Sequence, residues 1–178
     1  MKRKLIISLV MMLTMLSLIS LLVQAEVKED IINFSNQNVK VVQVNNRWKI
    51  TANNSWLLDF AENKNEAMKA LRIIKFYKLN QMCFVGRPDP SMRYFLSSGK
   101  APTGPMQGED SIYFDNNKLR VRYIDNCWYI IEGDDHYLLN FDKNEDEAWT
   151  ALRIIWKYDF NYICFVGRPG PSMVYFRK

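Results

Sequence analysis

One histidine stands among the 178 residues, and that scarcity removes the commonest catalytic arrangements. His136 lies in a GDDHY stretch beside Asp134 and Asp135, where it reads as a satisfied loop residue rather than a metal ligand. The chain has no HExxH, no phosphate-cradling glycine loop and no dinucleotide fingerprint. Cysteine is scarce too, and its count is odd: Cys83, Cys127 and Cys164. In an exported chain this leaves one thiol over or none bridged. Cys83 with Cys164, Cys127 with Cys164, and three buried free thiols all remain open. Basic runs are missing beyond MKRK at the start. The formal charge of +5 includes Lys2, Arg3 and Lys4. Without them the remainder carries about +2, its basic residues interleaved with acids. Nucleic-acid binding, which needs a concentrated basic patch, is therefore not expected.

The long apolar run comes first. MKRK, then LIISLVMMLTMLSLISLL, then VQA reads as a secretory signal cut after Ala25. The run also nears the length of a membrane-spanning helix, so an uncleaved N-terminal anchor is the alternative. The expectation is a secreted or periplasmic protein, touching membrane only if that segment stays.

The rest is organised by an internal repeat. Residues 57–95 and 138–176 align without gaps, and 24 of 39 positions are identical. Upstream, 39–50 matches 119–130 more loosely, with Trp48 over Trp128. One extra residue falls in the GDDHY stretch of the second copy. The segment SSGKAPTGPMQGEDS (97–111) reads as a Gly/Pro/Ser-rich linker between a first unit, 26–96, and a second, 112–178.

Local patterns within a unit predict structure. Val39, Val41 and Val44 lead to Asn45-Asn46 and then Trp48 and Ile50, a hairpin signature. Residues 56–60 read as a third strand. Asn63 and Glu66 stand in N-cap and N3 relation, as do Asn144 and Glu147. Ala67, Ala70, Leu71, Ile74 and Tyr77 follow on one helical face, widened by Ile73 and Phe76. Asn80 and Asn161 fall where a left-handed C-terminal cap is expected. MCFVG and SMRYFL read as two further strands. The expected fold class is α+β: two homologous β-β-β-α-β-β units, each an antiparallel sheet with one helix on it, in a pseudo-two-fold arrangement.

The most repeated string is CFVGRPDPSM at 83–92 and CFVGRPGPSM at 164–173. Cys83 and Val85 should face one side of a strand and Phe84 the other. Gly86 ends the strand, where an unusual backbone angle or a close approach is cheap. Two prolines then stiffen a corner that carries Arg87, or Arg168 in the second copy. A guanidinium so mounted suits a carboxylate, phosphate or sulfate, or serves as an internal clamp.

Together with RWKI, WLLDF and ALRII, this string resembles a repeat module of secreted microbial proteins. The resemblance spans nearly all of the chain after the leader. It implies an exported module and brings no activity or functional residues with it.

From the residues themselves, the expected function is non-enzymatic binding at two pseudo-equivalent sites, with a glycan or cell-envelope polymer as ligand. The candidate binding residues are Arg87, Arg168, Trp56, Tyr137 and Trp156. Tryptophan and tyrosine rings suit sugars and interfaces. Trp156, standing where the first unit has Lys75, suggests an exposed face. No catalytic residue, metal or cofactor is expected. A protein-binding factor inhibiting a secreted hydrolase, with the GRPxP loops as wedges, is one alternative. A small hydrolase with its site at the unit junction is the other.

Overall fold

The computed structural model of the chain describes residues 29–53 and 55–178. The leader at 1–25 lies outside them. Among the described residues no helix is long and apolar enough to cross a membrane.

The fold is α+β. In the first half, β1 (Asp30–Asn33) runs through a 3-10 turn (Asn36–Asn38) into β2 (Lys40–Val44), β3 (Arg47–Ala52) and β4 (Ser55–Asp59). Helix α1 (Lys64–Phe76) follows, then β5 (Gln81–Val85) and β6 (Met92–Leu96). The second half has the same order. It runs β7 (Asp110–Tyr113), a 3-10 turn (Asn116–Lys118), β8 (Leu119–Ile124), β9 (Cys127–Glu132) and β10 (His136–Asn140). Then come α2 (Glu145–Tyr158), β11 (Tyr162–Val166) and β12 (Met173–Arg177).

The strands form four three-stranded antiparallel sheets: β2-β3-β4, β1-β5-β6, β8-β9-β10 and β12-β11-β7. Each half therefore has two sheets and six strands, not one sheet and five. The strand absent from the sequence reading is β1 or β7. DIIN and DSIY are four residues long, too short for a period to declare itself. Both exist because they pair with β5 or β11 far along the chain. β7 begins inside the stretch read as linker.

The turn and N-cap signals hold, while the C-terminal caps and the width of the helix face differ from expectation. Asn45-Asn46 and Asp125-Asn126 all have positive φ, as the tight hairpin turns β2-β3 and β8-β9 require. Asn63 and Asn144 cap the helices, each accepting from the N–H of Glu66 or Glu147 at 3.1 Å. The helices exit through left-handed residues at Lys78 and Asp159, two positions before Asn80 and Asn161. Ile73 joins the buried helix face, but Phe76 is exposed.

Two apolar cores form, and each takes side chains from both halves. Ala67, Ala70, Ile73 and Ile74 of α1 pack with Val166, Met173 and Tyr175 of the second half. Ala148, Ala151, Leu152 and Ile155 of α2 pack with Val85, Met92 and Tyr94 of the first. Strand alternation explains the exchange. Met82, Phe84 and Phe95 point to their own helix. Cys83, Val85 and Tyr94, on the opposite face of β5 and β6, point to the other half's helix. Each fully buried isoleucine or leucine contributes about 1.5–3 kcal/mol. Neither half can bury its hairpin without the other.

Candidate functional site

The repeated string builds a socket. Ser91 Oγ donates to Glu147 Oε2 at 2.6 Å, and Ser172 Oγ donates to Glu66 Oε2 at 2.5 Å. The N3 glutamate of each helix thus reaches the GRPxPS loop of the other half. Gly86 and Gly167 make this possible. Both have positive φ, near +80°. A β-carbon on either would fall well inside 3.0 Å of the opposing carboxylate. An unusual backbone angle and a close approach, the two uses expected of this glycine, coincide. The same carboxylates accept from Asn63 Nδ2 and Asn144 Nδ2. The peptides Arg87–Pro88 and Arg168–Pro169 are cis.

The arginines are turned to another task. Arg87 makes a bidentate pair with Asp30 of β1, and Arg168 with Asp110 of β7. Each guanidinium lies over a ring of its own strand, Phe84 at 4.9 Å or Phe165 at 4.7 Å. The Arg168 hydrogen bonds hold the Asp110 carboxyl below its usual range. These clamps fasten the short strands β1 and β7 and remain partly exposed.

A second pair of contacts crosses the halves. Glu29 accepts from Tyr94, Tyr158 and Lys157. Glu109 accepts from Tyr77 and Tyr175, each at 2.6 Å, and from Arg177 Nε at 2.6 Å. Burial pushes the Glu29 carboxyl up, and the Lys157, Tyr94 and Tyr158 hydrogen bonds outweigh it, leaving the group below its ordinary value. Burial, then the hydrogen bond to Glu29, raises Tyr94 and Tyr158. Cys83 and Cys164 sit in the cores as free thiols, pushed up to about 12 chiefly by burial. Cys127 is half-buried and free. Sequence reasoning missed both glutamates. Glu109 lies within the stretch expected to be a linker, and Glu29 just beyond the expected leader.

The aromatic candidates occupy the outside. Trp56, on β4, is 63% exposed, and Tyr137, on β10, is 49% exposed. They hold the same place, since Trp56 pairs with Thr51 of β3 and Tyr137 with Ile131 of β9. Directly paired residues share a face, so each ring covers its buried partner, Thr51 or Ile131, and is itself exposed on the outside of its sheet. Lys49 Nζ lies 3.7 Å from the Trp56 ring centroid. Tyr129, at the position of Lys49, meets Tyr137 edge to face at 5.1 Å. Lys40, Arg47 and Lys49 share the first face with Asp59, which takes both Arg47 and Lys49 at 3.0 Å. Arg120 and Arg122 share the second face with the two tyrosines. Trp156 belongs to neither. It is 48% exposed, and its Nε1 donates to Asn116 O at 2.9 Å, as Lys75 does to Asn36 O. The lysine-to-tryptophan exchange keeps a donor at the same carbonyl.

His136 is on β10, with Nδ1 2.9 Å from Glu132 Oε2. No group of three or more candidate metal ligands stands together among the described residues. An open cleft of about 770 Å³ lies at the junction, between the Asp89–Ser91 loop and the start of α2, with the Glu147 carboxylate on its wall.

Comparison with family models, with curated proteins and with solved structures finds no match to this chain.

Proposed function

We propose that this is an exported, non-enzymatic binding module whose two homologous units stand in a pseudo-two-fold arrangement. Each unit presents one carbohydrate-binding face. The observation that carries this reading is the pair of flat rings, Trp56 and Tyr137, exposed at equivalent positions on the outside of two outer sheets. A large exposed ring costs solvation and invites an apolar partner; the face of a sugar ring is one. Arg87, Arg168 and the two socket glutamates have internal partners, which supports moving the site from the GRPxPS loops to the sheet faces. A ligand with repeating units would engage both faces and gain from multivalency.

The test is affinity electrophoresis of the protein through gels containing soluble polysaccharides, with Trp56→Ala, Tyr137→Ala and the double variant. Retardation by a polysaccharide, reduced in each single variant and abolished in the double, is the expected result. Retardation untouched by both substitutions, or none with any polysaccharide, overturns the reading.

A further inference from the structure

We infer that the polymer these faces take is an anionic polysaccharide, one carrying carboxylate or sulfate groups along its chain. The inference rests on the carbohydrate-binding reading above and adds a charge requirement to it.

Cations outnumber acids around each ring. On the first outer face Lys40, Arg47 and Lys49 stand in register across β2 and β3, with Asp59 as the one carboxylate on the paired strands. Asp59 is shared by Arg47 and Lys49, so one anion faces two cations. On the second face Asn140 stands where Asp59 stands in the first. Strands β8, β9 and β10 place Arg120, Arg122, Tyr129 and Tyr137 together with no acid among them. Arg120 reaches Asp134 in the neighbouring turn at 3.3 Å, a single contact to a side chain that is 92% exposed. Such a pair contributes little and opens readily to a competing anion. Among the described residues no ion pair includes Arg122.

Arg120 and Arg122 are two residues apart on one strand, roughly 7 Å along it. Two guanidinium forks at that spacing, beside two rings, suit a chain with regularly placed acid groups and flat sugar faces. Each fork takes a carboxylate or sulfate with two hydrogen bonds. Of the cations only Lys40 and Arg120 stand at matching positions; Arg47 and Lys49 are matched by Cys127 and Tyr129, and Arg122 by Val42, so each face carries its own set of cations beside its own rings. A single-stranded nucleic acid has the same two features, charge and stacking. The export expected from the N-terminal sequence favours the polysaccharide.

The probes are polygalacturonate and its fully methyl-esterified form, which share a backbone and differ in charge. Binding to the intact protein is followed by isothermal titration at low and at physiological salt. The inference expects the acid form to bind at least about tenfold more tightly than the ester, with affinity falling as salt rises. It expects Arg120→Gln/Arg122→Gln to lower acid-form affinity about tenfold or more while circular dichroism stays unchanged. Equal binding of both forms, lost in Tyr137→Ala, overturns the charge requirement and leaves the carbohydrate reading standing. Tighter binding of a single-stranded oligonucleotide than of polygalacturonate overturns the inference in favour of a nucleic acid. Binding of neither polysaccharide form overturns it outright. Trp56- and Tyr137-dependent retardation by some other, neutral polysaccharide then decides whether the wider reading survives.

Discussion

Gly86 lies against the carboxylate of Glu147, with no room between them for a β-carbon. The two residues belong to different halves of the chain, and Gly167 with Glu66 repeats the relationship in the other direction.

Gly86→Ala should destabilise the fold beyond the cost of its backbone angle by the hydrogen bonds to Ser91 and Asn144 that Glu147 gives up when its carboxylate moves aside. Positive φ alone costs an alanine about 1–2 kcal/mol. Gly99 provides the comparison: its φ is +76° against +79° at Gly86, and a β-carbon there meets nothing within 4 Å. Urea unfolding of Gly99→Ala therefore measures the angle alone, and any excess in Gly86→Ala measures the displaced glutamate. Equal losses in the two variants would refute the socket.

Ser91 and Glu147 should be energetically coupled across the junction. A hydrogen bond to a charged acceptor contributes about 1.5–3 kcal/mol. In a double-mutant cycle of Ser91→Ala and Glu147→Gln, the double variant should lose less than the sum of the singles, by about 1 kcal/mol or more. Strict additivity would mean that the two side chains do not share their energy.

Acid should loosen the seat of Glu29. The folded-state carboxyl is held below its ordinary value, so its contribution is fully present above the unfolded pKa of about 4.3. It is lost as pH falls through the lower folded value. Stability measured by denaturant titration should fall between pH 5 and pH 3, and the fall should be shallower in Glu29→Gln. A variant with the same slope as the parent would place the acid sensitivity elsewhere, Asp59 with its Arg47 partner being next in line.

Thiol reactivity should divide the three cysteines. Cys83 and Cys164 are fully buried with their thiols pushed up to about 12, while Cys127 is partly open on the outer sheet. Native protein at pH 8 should react rapidly at Cys127 alone, and all three should react after unfolding. Rapid native labelling of Cys83 or Cys164, read by peptide mass, would show that the cores open.

Much of this was legible in the sequence because the signals are local. The Asn45-Asn46 turn, the asparagine caps and the alternation of Cys83, Phe84 and Val85 each depend on a few adjacent residues. β1 and β7 were hidden because a four-residue strand is fixed by its partner ladder, not by its own period. For the same reason the sequence leaves open whether Arg87 and Arg168 grip a ligand or clamp the fold, since Asp30 and Asp110 come beside them only once those strands exist. Glu66 and Glu147 were half read. Capping explained them fully within the helix, and nothing local reveals that the same carboxylate also serves a loop from the other half. Trp56 and Tyr137 were picked out as candidate rings, but that they share one solvent position needed the register.

The crossed sockets also bear on how the two copies can change over time. A substitution in one GRPxPS loop is judged by the helix of the other copy, so loop and helix must be kept compatible crosswise. The outer hairpins β2-β3 and β8-β9 answer to no such partner. That division matches the chain's own record: 24 of 39 positions are identical from 57–95 to 138–176, while 39–50 and 119–130 have drifted apart. Within the chain the joint is the better-kept part of the repeat, and the outer hairpins are where the two halves differ most.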